Sequence, residues 1–385
     1  MNELTDKSIL HFEGYIKDVQ YKAFLTKELF PYPVETFNVN ASKAYGKIIL
    51  PDGEVSYSKW VSPKRTRTYP FERLYNIFNS PMRITIIPVI KDEGADGDLD
   101  KIQYSTISWM NLLNIYIILA YYDHASKNMR SLQVNKQKLT NHKYNESIVR
   151  EQLLKISHYK QSALHWNRSL IENDFYSTYQ KAVNSYELIS LKSGVRIHDP
   201  KIQEHYLTTV FKDFQKFRDI SLHNSKSASK RESRTEHILE YLSDGVKATI
   251  EIINYLGGVY YLTVDEVVMD ENGDSIIIQE SKNSSKGFIP SLSDIKDGLF
   301  KLILFSNLDH LKLNSVAMEY KTRLKLTGKK VNGKLEMPCE ERTLNDFLEE
   351  NKNNCSLTEE NVIRKLNMET GYNARLYIQI TSNAL

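Results

Sequence analysis

Asp265, Glu280 and Lys282 stand on two apolar segments that flank Asn272-Gly273. Asn-Gly between such segments favours a hairpin with a two-residue type I′ turn. In that register Asp265 faces Glu280, and Thr263 faces Lys282. Directly opposed residues point to one side of a sheet, and alternate residues share a face. One face then carries Met269, Val267, Asp265, Ile276, Ile278, Glu280 and Lys282, apolar near the turn and charged at the far end. The other carries Val264, Val268 and Ile277. Both faces are largely apolar and should both be covered. Unpaired buried charge is expensive. Two acids at cross-strand distance repel unless a cation sits between them. Mg²⁺ suits such a pair, because it takes one or two carboxylates together with phosphate oxygens and waters. A cation held there can polarise a phosphodiester and lower the pKa of an attacking water. Lys282 can orient that water or stabilise charge in the transition state. The alternative is a surface ion pair on a hairpin.

The elements that must hold these residues can be read on either side. Ser233-Arg234-Thr235-Glu236 has the pattern of a capping box opening a helix. Its apolar positions Ile238, Leu239, Leu242, Val246, Ile250 and Ile253 run up to Gly257-Gly258. Val259–Met269 and Ser275–Lys282 read as strands joined by a turn at Asp270–Asp274. Ser293–Leu304 reads as a helix capped by Ser293, and Val316–Leu326 as a third strand. A second capping box, Ser356–Glu359, opens a late helix, and Arg375–Thr381 is a closing strand. Upstream, Lys47–Leu50 with Pro51-Asp52-Gly53 reads as strand and turn. Arg83–Ile90 reads as a strand whose proline suggests a sheet edge. Residues 108–125 and 145–190 read as helical. The polar stretch Ser225–Arg234 is the best boundary, dividing the chain into 1–225 and 226–385. The expected class is α+β, a mixed β-sheet flanked by helices with a large, partly helical N-terminal region.

Asp265, followed after a 14-residue gap by the Glu280-Ser281-Lys282 of Ile277-Ile278-Gln279-Glu280-Ser281-Lys282, resembles the PD-(D/E)xK nuclease motif. The order of helix, two strands and amphipathic helix resembles that fold over about residues 233–326, a quarter of the chain. Val264 stands where the family motif has proline, and Glu319-Tyr320-Lys321 is a second E-x-K that lacks an acid on a preceding paired strand. The resemblance implies a nuclease core that cleaves double-stranded DNA with Mg²⁺. The long N-terminal region makes it most like a type II restriction endonuclease, cutting at a specific sequence. It implies Asp265 and Glu280 as metal ligands and Lys282 as the catalytic lysine. Glu236, or Glu240 in its stead, would complete the site from the helix. Cutting both strands needs two sites, so a homodimer is expected. The alternatives are a non-catalytic nucleic-acid-binding protein, or a repair or RNA nuclease of the same fold.

Charge supports a polyanionic partner. The 385 residues carry 51 Lys and Arg against 48 Asp and Glu, but the excess is local. Nine basic residues between Lys127 and Arg168 meet only Glu146 and Glu151, and Tyr144, Tyr159 and Trp166 are interleaved. Lys136, Lys138 and Lys143 in this stretch, with Arg65 and Arg67 of Lys64–Arg67, are candidates for DNA contact. Further basic runs lie at 226–234 and 321–330. Such clusters neutralise phosphates, although each also fits a solvated surface. The acidic run Asp92, Glu93, Asp96, Asp98, Asp100 reads as a solvated turn or a second metal or substrate site. Lys101 and Ile107 occupy its sixth and twelfth positions, which excludes an EF-hand. His142, His158 and His165 lack metal-ligand spacing. The absence of G-x-S-x-G, a phosphate-binding glycine loop and a dinucleotide fingerprint argues against α/β-hydrolases, NTPases and nicotinamide enzymes. Cys339 and Cys355 cannot build a disulfide framework. Trp109–Tyr122 is the most apolar stretch, and its 14 residues fall short of the ~20 needed to span a bilayer. It reads as a buried helix. With no signal peptide at the N-terminus, the expected location is cytoplasmic.

Overall fold

The structure, a computed structural model, describes residues 10–64, 67–130, 137–205, 207–208, 246–270 and 275–382, with the side chains of Tyr104 and Asp265 outside that description. The chain divides into two units, Met1–Thr26 with Asn224–Leu385 and Lys27–His223. The first 26 residues therefore belong with the C-terminal unit rather than with an N-terminal region 1–225. The reason is β1 (Leu10–Ile16), which buries Leu10, Phe12, Gly14 and Ile16 at period two within that unit's sheet.

In the second unit β2 (Pro31–Pro33), β3 (Tyr45–Leu50) and β4 (Gly53–Lys59) precede α1 (Pro70–Ile77) and β5 (Arg83–Pro88). A small hairpin, β6 (Ile90–Asp92) and β7 (Leu99–Lys101), leads to α2 (Tyr104–Leu112) and β8 (Tyr116–Ala120). The sheet runs β2-β3-β4-β5-β8. β5 is thus internal, not an edge, and its proline is tolerated because Pro88 is its last residue. The expected helix over 108–125 ends at Leu112. Asn114 turns the chain with φ 52, and Tyr116–Ala120 continues as a strand buried at every residue. A continuous apolar run carries no periodicity to separate these two outcomes. The hairpin β9 (Tyr122–Lys127) and β10 (Leu139–Tyr144) follows. Then come α3 (Glu146–Ser157), capped by Asn145 on the Ile148 N–H, α4 (Ala163–Ser169) and α5 (Phe175–Ser193). These three cover the expected helical span.

The first unit resumes with β11 (Val246–Asn254), β12 (Val259–Met269) and β13 (Ile276–Ser284). α6 (Leu292–Ser306), β14 (His310–Leu313), β15 (Val316–Ala317) and β16 (Tyr320–Gly328) come next. β17 (Lys334–Met337), α7 (Glu341–Glu350), α8 (Leu357–Tyr372) and β18 (Leu376–Ser382) close the chain. The described strands form a nine-stranded mixed sheet, β15-β14-β1-β11-β12-β13-β16-β18-β17. β11, β12 and β13 are an antiparallel meander, and β16 returns parallel to β13 after α6 crosses over. The fold is α+β with a mixed sheet.

The helix expected to run to Gly257 is overturned from Val246 onward. Ala248, Ile250, Ile252 and Asn254 are buried while the residues between them are partly exposed, which is strand alternation. Gly257 and Gly258 form a hairpin turn instead of a helix stop. Gly257 adopts φ 76, and the Asn254 carboxamide oxygen accepts from the N–H groups of Leu256 and Gly258. The proposed capping box, with Glu236 and Glu240, lies outside the described residues, as does the Asn272-Gly273 turn. α6 is capped by Ser291, whose hydroxyl accepts from the Asp294 N–H, and not by Ser293. The expected strand 316–326 is split, because Val316–Ala317 pairs with β14 while Tyr320–Gly328 pairs with β13 and β18. The Ser356–Glu359 capping box is formed in both directions. No helix among the described residues is long and apolar enough to cross a membrane.

Candidate functional site

β12 and β13 pair Met269 with Ile276, Val268 with Ile277, Val267 with Ile278 and Glu266 with Gln279. This is the register a two-residue turn at Asn272-Gly273 demands, and the pairing ends at Glu266–Gln279, one step short of Asp265 and Glu280. The strict alternation expected of β12 is interrupted there. Against β11, Val246 pairs with Val267 but Ala248 with Val264, so β12 carries an extra residue across Asp265–Glu266. Bulges of this kind re-aim side chains and recur beside active sites. Asp265 lies on β12 with its side chain outside the described residues.

Ile276–Glu280 is buried on both faces, and exposure begins at Ser281. The charged end of the hairpin is therefore where the sheet meets the helix layer. α6 packs against β13 and β16, burying Ile295, Leu299, Phe300 and Ile303. Its closest approach is Gly298. A Cβ there would lie 2.7 Å from Leu324 Cδ1, 3.3 Å from Lys282 Cε and 3.4 Å from Glu280 Cγ. Glycine inside a helix costs about 0.5–1 kcal/mol relative to alanine, and here it is the condition for laying α6 directly on the pair.

Asp297 and Lys301, one helical turn apart, flank that contact and were not singled out by the sequence. Lys282 Nζ is 3.1 Å from Glu280 Oε1 and 3.0 Å from Asp297 Oδ2. Lys301 Nζ donates to the same Glu280 Oε1 at 2.7 Å. Two acids and two lysines thus form a chain of alternating charge, Asp297–Lys282–Glu280–Lys301. The Glu280 side chain is 10% exposed and Lys301 25%. Burial alone would lower the Lys282 pKa, but the charges of Asp297 and Glu280 and their hydrogen bonds outweigh it, and the pKa is raised. Lys282 is an ammonium at neutral pH, suited to donating to a phosphate oxygen and not to abstracting a proton. The signal that could have found Asp297 and Lys301 is a glycine in the middle of an apolar helix, between an acid and a base four residues apart.

On the other side of β13, Gln279 donates to Glu266 and accepts from Arg323, and the Ser281 hydroxyl donates to Glu266. This face is polar near the site rather than purely apolar. In the second E-x-K, Lys321 pairs with Asp270 at 2.9 Å.

In the second unit three acids of the acidic run are buried, while Asp96 and Asp98 are exposed at its turn. Asp92, Glu93 and Asp100 are 2%, 5% and 0% exposed. Asp100 receives Lys64 at 2.7 Å, Arg67 at 3.2 Å and the Ser62 hydroxyl at 2.6 Å. Glu93 receives Lys91 at 2.8 Å and Arg67 at 3.3 Å, and Arg67 also pairs with Asp98. Asp92 accepts from the main-chain N–H groups of Gly94 and His198 and pairs with the His198 ring. Arg67, expected to contact DNA, is committed to three carboxylates of this network. Arg65 and Lys136 lie outside the described residues. Lys143 is exposed on β10, and Lys138 is half-buried with its N–H bonded to the Glu93 carbonyl. The stretch 127–168 is a hairpin followed by helices, in which Lys155 and Arg168 pair with Glu151 and Glu172 one turn away. Among the described residues no group of three or more His, Cys, Asp or Glu side chains is arranged to hold a metal ion. No protein-family model, curated protein or solved structure matches this chain.

Proposed function

We propose that the chain is a Mg²⁺-dependent endodeoxyribonuclease of the PD-(D/E)xK type, cleaving double-stranded DNA at a specific sequence in the manner of a type II restriction endonuclease. The observation that carries this reading is the convergence of Glu280 and Lys282 at the end of β13, beside the bulge of β12 that bears Asp265 and beneath α6. The order β11-β12-β13-α6-β16, an antiparallel meander with a helical crossover to a parallel strand, supports it. The donor chemistry fits a hard divalent cation, since Glu280 offers carboxylate oxygen and the adjacent strand offers Asp265. Such an ion, when bound, activates water and polarises the phosphodiester. Glu280 and Asp265 would hold it. Lys282, kept protonated by its two carboxylate neighbours, would donate to the phosphate oxygen on which charge accumulates. An acid at Glu236 would complete the set. A homodimer, with one site for each strand, and a cytoplasmic setting accord with this reading.

A second reading, a nucleic-acid-binding protein in which the cluster is structural, draws on the pairing of all four charges in it. Incubating supercoiled plasmid with the protein and Mg²⁺, with and without chelator, separates the two. Discrete linear fragments that vanish with chelator support the nuclease. Intact plasmid under every condition, despite duplex binding, supports the second reading.

A further inference from the structure

β4, β5 and β8 run parallel, with α1 between the first two and α2 between the last two, so their carboxyl ends form one edge of the second unit's sheet. That edge is where open α/β sheets take ligands. Lys59 is the last residue of β4 and Arg73 the fourth of α1. Both are half-buried, and Arg73 Nη1 donates to the Lys59 carbonyl. Among the described residues neither cation forms an ion pair with a carboxylate. Lys59 Nζ donates instead to the carbonyls of Val39 and Ser42 and, at 3.4 Å, to the Ser42 hydroxyl. The acid whose charge reaches Arg73 is Glu72, and its Oε1 accepts from the Asn76 carboxamide at 2.7 Å. The phenols of Tyr45, Tyr122 and Tyr144 also act on Arg73, and burial keeps them protonated. Burial lowers the pKa of both cations, and the Arg73 charge helps to bring that of Lys59 down to about 8.

Two neighbouring like charges repel unless an opposite charge sits with them. We infer that Arg73 and Lys59 form a phosphate-binding site at the carboxyl end of β4. The guanidinium spends Nη1 on the Lys59 carbonyl, and its Nε and Nη2 make the edge that grips an oxyanion through two parallel bonds. Lys59, whose ammonium already has three acceptors, contributes charge rather than a contact. The loop from β4 to α1 carries the basic run Lys64–Arg67, but Lys64 and Arg67 are turned to Asp100, Glu93 and Asp98. Arg73 takes the phosphate contact that the run itself does not make. The reading of a nucleic-acid partner enters only in the source of the phosphate, which is either the duplex backbone or a free nucleotide.

Phenylglyoxal modification of the full-length wild-type protein, mapped by peptide mass spectrometry, tests the site without a variant. Arg73 should react in the free protein and be protected by its ligand. The probes are a duplex oligonucleotide, a mononucleotide and inorganic phosphate. Protection by the duplex assigns the site to the DNA backbone, and protection by the small phosphates alone assigns it to a free nucleotide or phosphate. Arg73→Gln should weaken binding of the protecting probe by about tenfold or more. Where that probe is the duplex, it should also lower the salt slope by ~0.9. Arg73→Lys, which keeps the charge without the fork, should keep the slope and lose part of the affinity. An Arg73 that does not react, or reacts equally with and without all three probes, overturns the inference. So does an Arg73→Gln variant that is folded by circular dichroism and binds the probe as wild type does. Plasmid cleavage is scored apart. Cleavage without protection keeps the proposed nuclease and removes this site, and protection without cleavage does the reverse.

Discussion

Gly298→Ala tests whether α6 is seated on the site as closely as the geometry demands. Two opposing terms decide the outcome. Alanine in a helix interior gains about 1 kcal/mol over glycine. Against this, the new Cβ meets Leu324 Cδ1 at 2.7 Å, well inside normal contact, and Lys282 Cε at 3.3 Å. Leu324 is fully buried on β16. Either it leaves its rotamer, at about 0.5–1.5 kcal/mol, or α6 lifts by several tenths of an ångström. Overpacking of this kind typically costs about 1–3 kcal/mol. The net expectation is destabilisation of about 1 kcal/mol, within about 0–2. Lifting α6 also pulls Asp297 and Lys301 from partners now at 3.0 and 2.7 Å. Because misplacing a reacting group by about 1 Å can cost 10²-fold in rate, plasmid cleavage should fall by roughly tenfold or more. That loss is larger than the stability change explains. Urea unfolding followed by far-ultraviolet circular dichroism gives the first quantity, and a cleavage time course gives the second. A variant more stable than wild type by about 1 kcal/mol and fully active would refute the close seating of α6 and its part in the site.

Lys282→Ala should abolish cleavage while leaving duplex affinity within about threefold of wild type, because its charge acts mainly in the transition state. Filter binding beside a cleavage assay checks this, and unchanged cleavage would remove Lys282 from the chemistry. Joint replacement of Lys136, Lys138 and Lys143 by Ala should weaken binding to all duplexes alike and lower the salt slope by up to ~0.9 per lysine. An unaltered slope in a salt titration would mean that these lysines contact no phosphate. Burial above all, and then the Lys91 charge, pushes the His142 pKa down to about 4, and its Nε2 lies 3.1 Å from the Asp92 carbonyl oxygen. The imidazole is therefore neutral in the folded state, and the unfolded chain binds the extra proton first as pH falls. Stability should be complete above about 6.5 and decline between about 6.5 and 4, by at most about 3 kcal/mol. His142→Gln should flatten that limb in urea titrations at several pH values, and an unchanged limb would assign the loss to other groups.

The part of the fold that bears the site could be read because its signals were local. The β12–β13 register is the one that the Asn272-Gly273 dipeptide calls for, and the Ser356–Glu359 capping box needs only four consecutive residues. β11 was misread because Val246, Ile250 and Ile253 fit helical spacing while Ala248, Ile250 and Ile252 fit strand spacing in the same segment. β-branched residues at both sets of positions leave tertiary pairing to decide, and β1 on one side and β12 on the other do so. No local pattern joins residues 10–16 to 248–254, so the division of the chain was out of reach. Asp297 and Lys301 were passed over for a related reason. An acid and a base four apart on a helix usually mark a solvated face. Only the packing at Gly298, a long-range property, makes that face an interior one.

The two charge clusters of this protein use similar residues to opposite ends, and their partners explain why. In the second unit Asp100 is held by an arginine, a lysine and a serine hydroxyl, and Asp92 by two backbone N–H groups and a histidine. Two of these donors are main-chain N–H groups, and the carboxylates are at most 5% exposed. Breaking such a buried pair leaves an uncompensated charge, at a cost of about 3–5 kcal/mol, so the network fastens β6 and β7 and has no reason to exchange its partners. Glu280 is held by two ammonium groups, 18% and 25% exposed, whereas the Lys64 and Arg67 that hold Asp100 are 38% and 30% exposed. What distinguishes Glu280 is its place on the strand next to the one that bears Asp265, the second acid that the proposed metal site needs. Asp92 and Asp100 are engaged by main-chain N–H groups and a serine hydroxyl besides their cations, which is why the proposed site is set on β13 and not on the longer acidic run.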